Sequence, residues 1–512
     1  MEKIKYMIPA IERWAEKDPQ RVCYHTAERD YTYQELSDYS NHLAAHLLKS
    51  VPGKAPIVVF GELEFEMLAC FLACIKTGHA YIPMETSTPE ERIQLIYEVA
   101  QPVMTLAVAD LPIEVEPRIT KKELQTLFTQ TGPVKTPPES NWVKGDENYY
   151  IIFTSGTTGV PKGVQISHDN LVSFVTWMTT DFHFPAAPRF LAQAPYSFDL
   201  SVMDLYPALV LGGSLYPLTK EQIVDFKTLF EVLPQLPFQI WVSTPSFADI
   251  CLMDPQFAPA MLPQLTQFLF CGEELTHDTA KNLLERFPEV KVFNTYGPTE
   301  TTVAISGLEI TPDILAKYPR LPIGYVKEDS QVEVVDEKLT PVKNGEIGEL
   351  LISGPCVSKG YLNNPEKTAE AFVTLADGRR AYRTKDAARM MDDGLLLYEG
   401  RLDFQVKLHG YRIELEEVDH HLMESQWVKQ ACTVPKYSAK THKVQQLVAY
   451  VVANENSFEK PFQLTQAIKK ELGESVMDYM IPTRFIYLPQ LPRTANGKID
   501  RKSLIKKTNG GQ

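Results

Sequence analysis

No stretch of this 512-residue sequence runs for about 18 apolar residues without interruption, so no segment reads as a membrane-spanning helix. The N-terminus, MEKIKYMIPAIERWAEKDP, lacks the apolar centre and small-residue cleavage site of a secretion signal. The spacing of Ile4, Met7, Ile8, Ile11 and Trp14 among charges suits an amphipathic helix instead. Cysteines are few. The seven are scattered, with no Cys-x-x-Cys pair, which argues against a disulfide framework and a thiolate zinc site. Together these absences make a cytoplasmic location the expectation. No internal repeat occurs at solenoid periods, so a stacked-repeat architecture is excluded. Positive charge is short as well: 51 Lys+Arg against 65 Asp+Glu leave a net charge of −14, which disfavours nucleic acid as a partner. The deficit is uneven. Residues 401–512 hold 17 Lys+Arg and 12 Asp+Glu, a surplus of +5, so the remainder carries −19. Such asymmetry suggests two units with different electrostatic tasks.

What is present is ordinary globular material, 44% hydrophobic and 23% charged, in a chain too long for one ordinary domain. Thr32 and Glu35 are spaced as a capping box at the start of a helix. A strand at Ile57–Phe60, a helix from Phe65 to Lys76 and a strand after Gly78 follow, and the alternation continues as a parallel α/β fold requires. A Pro-rich surface linker, TGPVKTPPES, precedes the next strand. From Gln331 short strands and turns predict a small β-rich subdomain. After Asp403 the texture becomes compact α+β over about a hundred residues. The expected division is therefore 1–402, a large α/β domain with its β-rich subdomain, and 403–512, a small mobile α+β domain.

The densest chemical signal is Tyr149–Asn170, YYIIFTSGTTGVPKGVQISHDN. An apolar β-rich run breaks into hydroxyls and glycines and then resumes as a second strand. Gly156, Gly159 and Gly163 permit φ > 0 and close approach of the backbone to a ligand. Backbone N–H groups, four hydroxyls and Lys162 can surround an anion, which suits a polyphosphate. It is neither a Walker loop, because Gly163 follows the lysine where Ser/Thr is needed, nor Gly-x-Gly-x-x-Gly. Elsewhere Asp199 lies in the apolar, aromatic run APYSFDLS, where an unpaired carboxylate would be costly.

The string TSGTTGVPKG resembles the phosphate loop of the adenylate-forming enzymes: acyl-CoA synthetases, luciferases and the adenylation domains of peptide synthetases. APYSFDLS, FLFCGEE, NTYGPTETTV, YRTKD, GRLDFQVKLHGYRIE and PRTANGKID fit the same family, so the resemblance covers nearly the whole chain. It implies an ATP site made from Thr154, Ser155, Gly156, Thr157, Lys162, Asn294, Thr295, Tyr296, Gly297, Pro298 and Thr299. Asp386 would hold the ribose, and Tyr398 and Arg401 would lie beside ribose and phosphate. It implies Mg²⁺ on Glu300, a hard carboxylate of the kind that ion prefers beside phosphate oxygens. Asp199 would bind a substrate α-amino group, with Leu200, Met203, Leu269, Cys271 and Val303 as walls of a cramped pocket. Cys271 reads as a wall and not a nucleophile, since no base is identifiable beside it. Lys498 would bridge the substrate carboxylate and the phosphate, acting with Thr299 and Glu300 in catalysis, and Asp403 would be the hinge. One departure stands out: Lys385 occupies the position of the family's usual Gly in the ribose motif, which puts the geometry of that loop in question.

The resemblance implies ATP-dependent activation of a carboxylate as an adenylate, followed by transfer to a thiol. Asp199 decides for an amino acid, and the pocket residues for a small one. SFDLSVMDLYPALVLGG, KGYLNNPEKTAEAF and GRLDFQVKLHGYRIELEEV are similar to the branch of the family that charges a small acidic phosphopantetheinylated carrier protein with D-alanine for lipoteichoic acid. The residues themselves leave chirality open. The alternatives are an acyl- or aryl-CoA ligase, an enzyme for another small amino acid, and a non-catalytic AMP sensor, which would be expected to lack Lys162, Glu300 or Lys498.

Overall fold

The computed structural model describes residues 4–510 apart from 131, 133, 157, 158, 442 and 495–497. The chain divides into two compact units. The first holds the chain up to Thr86, then Ala100–Ile152 and Gly163–Gly400; the second holds Ser87–Val99, Phe153–Lys162 and the chain from Arg401. The change of texture expected at Asp403 lies two residues from this division. A single boundary cannot express it, however, because two earlier segments group with the C-terminal residues.

The first unit is built on two largely parallel sheets. The nine-stranded one runs Tyr325–Val326, Ser306–Glu309, Lys291–Tyr296, Gln267–Phe270, Ile240–Ser243, Arg189–Ala192, Ser214–Pro217, Val22–His25 and Asp30–Thr32, antiparallel only at its two ends. The six-stranded one runs Arg118–Ile119, Met104–Ala107, Ile57–Phe60, Tyr81–Met84, Asn148–Thr154 and Lys162–Ser167. Its inner strands are continuous apolar runs, such as Ile-Val-Val-Phe at 57–60 with every residue buried, as sheets covered on both faces require. A five-stranded sheet of Gln331–Val335, Gly348–Ser353, Phe372–Thr374, Arg380–Met390 and Leu396–Arg401 forms the β-rich part.

The helices follow the sequence signals closely. Met7–Lys17 buries Met7, Ile8 and Ile11. Tyr33–Ser50 starts at a capping box in which the Thr32 side chain accepts from the Glu35 N–H. Phe65–Lys76 is apolar on nearly every face and is buried accordingly. Its last residue carries the exception. The Lys76 ammonium is fully buried, donates to Ser40 Oγ and Asn41 Oδ1 at 2.7 Å each, and pairs with Glu12. Burial lowers its pKa and Glu12 opposes that shift. One cation thereby ties three helices together.

The second unit contains the hairpin Gln405–Leu408/Tyr411–Glu414, the helices Leu415–Glu424, Pro461–Ser475 and Arg501–Thr508, and a sheet of Val428–Tyr437, Val444–Ala453 and Arg484–Tyr487. The hairpin turns through His409 at φ 53° and Gly410 at φ 86°, the positive pair that a two-residue turn between right-twisted strands demands. Its core joins Ile413, Val418 and Leu422 to Ala449, Val451 and Ile468. No helix among the described residues is long and apolar enough to cross a membrane.

Lys76→Met keeps the volume of that buried side chain and leaves the Glu12 carboxylate without its cation, with only the Ser37 and Thr136 hydroxyls, among the described residues, donating to it. It is expected to destabilise the first unit by about 3–5 kcal/mol, read as a lowered thermal unfolding transition. Pairing it with Glu12→Gln should restore part of the loss.

Candidate active site

Parallel strands deliver their carboxyl ends to one edge of a sheet, where α/β proteins place ligands. Three sequence motifs leave strands of the nine-stranded sheet at that edge: APYSFDLS after Arg189–Ala192, CGEE after Gln267–Phe270 and GPTE after Lys291–Tyr296. Between the first and second of these strands lies Ile240–Ser243. Residues about a hundred positions apart in sequence are thus gathered on one side of the first unit.

Asp199 opens a short 3-10 turn, Asp199–Ser201, which feeds the helix Val202–Leu211. The segment is pinned by Phe198 N–H to Pro195 O at 2.9 Å, by Ser201 Oγ to Phe198 O at 2.8 Å and by Ser197 Oγ to Glu85 Oε1 at 2.7 Å. Asp199 is buried, and its charge is felt by Tyr150, whose phenol is raised first by its own burial and then by Asp199. The Tyr150 hydroxyl is buried with no hydrogen-bond partner among the described residues. The sequence reading missed this residue, because inside a buried strand a tyrosine is indistinguishable from plain core.

Leu200, Met203, Leu269, Cys271 and Val303 all belong to one buried apolar cluster. The structure brings Cys271 to Val303 directly: the thiol donates to the Val303 carbonyl at 3.7 Å. A Cβ at Gly272, which stands at φ +88°, would lie 3.5 Å from the Phe198 ring, so the Cys271 turn packs beside the Asp199 turn. Thr302 and Val303 adopt φ 61° and 67°. The left-handed region costs a β-branched residue about 1–3 kcal/mol and such strain concentrates at functional sites. Here it is held by Thr302 Oγ1 donating to Cys356 O at 2.8 Å and by Ala304 N–H donating to Thr302 O at 2.8 Å.

In NTYGPTE, Asn294 Nδ2 donates to Pro322 O at 2.7 Å and Thr295 Oγ1 to Phe270 O at 2.8 Å. The Tyr296 hydroxyl donates to Asp386 Oδ2, and its ring centroid is 6.4 Å from that of Tyr398. Gly297 admits no side chain, since a Cβ would sit 2.5 Å from Ala304 Cα. Pro298 leads into the 3-10 turn Thr299–Thr301, in which Thr301 N–H donates to Pro298 O at 2.9 Å. Glu300 is fully buried and accepts from the Tyr361 hydroxyl at 2.8 Å. No group of three or more His, Cys, Asp or Glu that could hold a metal occurs among the described residues. Glu300 is a hard carboxylate of the kind that would hold Mg²⁺ beside phosphate oxygens.

Asp386 is aimed by a bulge. Between the pairs Glu349↔Ala387 and Leu351↔Arg383 the register shifts, so Thr384, Lys385 and Asp386 oppose Leu350 alone. Lys385 lies at φ 56°, which explains why glycine suits this position in the family, and its N–H donates to Glu349 Oε1 at 3.1 Å. Glu349 also holds Arg383 at 2.6 Å, and Asp386 N–H donates to Thr384 Oγ1 at 3.0 Å. The doubt raised by Lys385 is answered locally: the lysine adopts the conformation that glycine would. Arg320, absent from any motif, covers the Tyr398 ring at 4.8 Å and is gripped by both Glu274 oxygens at 2.8 and 2.6 Å.

The phosphate-loop residues belong to the second unit. Thr154 Oγ1 donates to Lys162 O at 3.5 Å and Ser155 Oγ to Arg412 O at 3.0 Å. Gly156 N–H donates to Glu417 Oε2 at 2.8 Å, Arg92 reaches Glu417 Oε1 at 3.1 Å, and Lys162 Nζ lies 3.6 Å from Glu414 Oε1. Glu417 is fully buried, and burial pushes its carboxyl above the usual range against the pull of Arg92. Gly159 stands at φ +80°, whereas Gly156 is required for another reason: a Cβ there would meet Val160 O at 2.1 Å. Arg401 forms a two-point pair with Asp403 at 2.9 and 2.7 Å. Lys498 is exposed, with its carbonyl accepting from Thr494 N–H at 2.7 Å. Thr157, and the turn expected at Asn496 and Gly497, lie outside the described residues.

Lys385→Gly is expected to leave stability unchanged or to raise it by up to about 1 kcal/mol, and Lys385→Val to lower it by about 1–3 kcal/mol, both read by thermal unfolding.

A family model described as "AMP-binding enzyme" matches residues 11–362, and one described as "AMP-binding enzyme C-terminal domain" matches 417–498. A D-alanine–D-alanyl carrier protein ligase of Lactiplantibacillus plantarum is 57% identical to this chain, covering 99% of each. One of Streptococcus agalactiae is 51% identical, covering 98% of this chain and 99% of its own. Among solved structures, a Vibrio cholerae adenylation domain in complex with glycyl-adenosine-5'-phosphate aligns at a TM-score of 0.81 with 25% identity, covering 98% of each chain. With family models spanning both ends and relatives that share more than half its residues over its full length, this chain belongs to the AMP-binding enzymes and, among them, to the ligase group of those relatives.

Proposed function

We propose that this protein activates D-alanine with ATP as an aminoacyl-adenylate and transfers it to the phosphopantetheine thiol of a small acidic carrier protein, for D-alanylation of lipoteichoic acid. The observation that carries this reading is the identity, above half over the full length, to D-alanine–D-alanyl carrier protein ligases. The buried carboxylate of Asp199 in an apolar cluster supports it, because such a group suits an ammonium and not an acyl tail.

In the first step an oxygen of the substrate carboxylate attacks the α-phosphorus of ATP, and the bond to the β-phosphate oxygen breaks to release pyrophosphate. Both reactants are anions, so the work is positioning and charge neutralisation. Asp199 orients the amino group, and Leu200, Met203, Leu269, Cys271 and Val303 limit the side chain. Asn294, Thr295, Tyr296, Gly297, Pro298 and Tyr398 frame the nucleoside, with Asp386 on the ribose. Thr299 donates to the α-phosphate; Thr154, Ser155, Gly156, Thr157 and Lys162 hold the polyphosphate, with Arg401 beside it. Lys498 bridges carboxylate and phosphate. Mg²⁺ on Glu300 would neutralise phosphate charge when bound. In the second step the carrier thiol loses its proton, its sulfur attacks the acyl carbon and AMP departs. Asp403 is the pivot about which the segment bearing Lys498 changes place between steps.

Asp199→Ala is expected to leave ATP binding near normal and to cut amino-acid-dependent pyrophosphate exchange several hundredfold, corresponding to about 3–5 kcal/mol. Unchanged exchange would rule out Asp199 as the partner of the amino group, and a wild type that shows exchange with acyl or aryl acids but with no amino acid would favour a CoA ligase. The carrier docks on the surplus of positive charge in residues 401–512. Raising salt from 0.1 to 1 M, which shortens the Debye length from about 10 to about 3 Å, is expected to slow carrier loading while hardly touching exchange.

A further inference from the structure

The turn that carries CGEE, the strand that carries NTYGPTE and the strand that carries Tyr398 are joined at one residue that no motif assigns. Arg320 follows the helix Pro312–Lys317 and precedes a segment pinned on both sides. Leu321 is buried in the apolar cluster of Phe268, Phe270 and Leu275. Pro322 O accepts from Asn294 Nδ2 at 2.7 Å, and Ile323 N–H donates at 3.0 Å to the carbonyl of Leu396, two residues before Tyr398. From that anchored backbone the guanidinium reaches two places at once. Its Nε and Nη2 donate to the two Glu274 oxygens at 2.8 and 2.6 Å, and its carbon lies over the Tyr398 ring, 4.8 Å from the centroid. The side chains of Arg320 and Glu274 are 41% and 30% exposed, and a pair so open to water adds little to stability. What it supplies is geometry: a planar fork held at two points can lie flat on an aromatic face, which an ammonium cannot do.

We infer that Arg320 is a positioning residue for the nucleoside of ATP: braced by Glu274, it covers one face of the Tyr398 ring and fixes the plane of that ring, so that the nucleoside meets a preset wall. The inference rests on Tyr398, Tyr296 and Asp386 forming the nucleoside site of the proposed adenylation. It goes further by assigning a residue and a role behind that wall. Tyr296 is held by its hydroxyl on Asp386 and stands 6.4 Å from Tyr398 at an interplanar angle of 38°, and Arg320 gives the second ring a support of its own. A ring already fixed in place loses no freedom when the nucleoside binds, which raises affinity without a new contact to the ligand. Other residues meet the polyphosphate and the amino acid, so the effect of Arg320 is confined to the nucleoside.

The test uses the full-length protein and compares the wild type with Arg320→Ala, Arg320→Lys, Glu274→Gln and the Arg320→Ala/Glu274→Gln double variant. Equilibrium binding of adenosine, MgATP and Mg-pyrophosphate is measured, together with KM for ATP and for D-alanine in pyrophosphate exchange. Arg320→Ala is expected to weaken adenosine and MgATP at least fivefold and to raise KM for ATP in proportion. Its pyrophosphate binding, KM for D-alanine and kcat should stay within twofold of the wild type. Glu274→Gln should weaken adenosine at least threefold, and the double variant should be no worse than Arg320→Ala, because the two side chains act as a unit. Arg320→Lys keeps the charge without the fork and is expected to bind adenosine as Arg320→Ala does. Should Arg320→Ala fail to fold by circular dichroism, Glu274→Gln decides alone. Wild-type affinity for adenosine in folded Arg320→Ala or in Arg320→Lys overturns the inference while leaving adenylation intact. So do additive losses in the double variant, and so do parallel losses of adenosine, pyrophosphate and D-alanine, which mark a merely structural contact. A wild type that binds neither adenosine nor MgATP overturns the functional reading and this inference with it.

Discussion

Parallel pairing of four strands is the constraint on which the candidate site depends. Arg189–Ala192, Ile240–Ser243, Gln267–Phe270 and Lys291–Tyr296 run side by side in one direction, so every chain that leaves them leaves from the same edge. An antiparallel sheet with the same sequences would send alternate motifs to opposite edges. The cost of this arrangement is burial on both faces, which is why the strand centres are apolar and why polar side chains gather at the strand ends, as Asn294 and Thr295 do, and in the turns that follow.

Backbone strain recurs in the same neighbourhood. Thr302, Val303 and Lys385 are non-glycine residues in the left-handed region, and each is held by named contacts: Thr302 on Cys356 O, Val303 under the Cys271 thiol, Lys385 on Glu349. Their positions follow from what they aim. Thr302 and Val303 turn the chain directly after Glu300, and Lys385 completes the bulge that points Asp386 at the Tyr296 hydroxyl. The scaffold stabilises these conformations because Glu349 serves Arg383 and Lys385 at once.

Much of the fold was legible because its signals are local. The capping box at Thr32, the fully apolar helix Phe65–Lys76 and the strand Ile57–Phe60 each depend on residues within a turn or on neighbours of period two or 3.6. The motif residues were legible for the same reason, since TSGTTGVPKG and YGPTE are short and dense. Illegible were Arg320 over Tyr398 and the orphan hydroxyl of Tyr150, since an isolated arginine or a core tyrosine has no local pattern to mark it. Gly156 was legible as a glycine and misread in its reason. Its backbone is not left-handed; a Val160 carbonyl simply stands where a Cβ would go.

By itself the sequence determined the alternation of elements, the division of charge between the two parts of the chain and the identity of the motif residues, because all of these are properties of neighbours along the chain. Tertiary structure alone decided which partners those residues meet. Glu417 reaches Gly156 across 261 positions and Arg92 across 325, and two segments from the first quarter and third of the chain join the C-terminal unit. No periodicity or motif encodes such pairings. They arise when buried carboxylates must find donors, and only the folded chain determines which donors lie within reach.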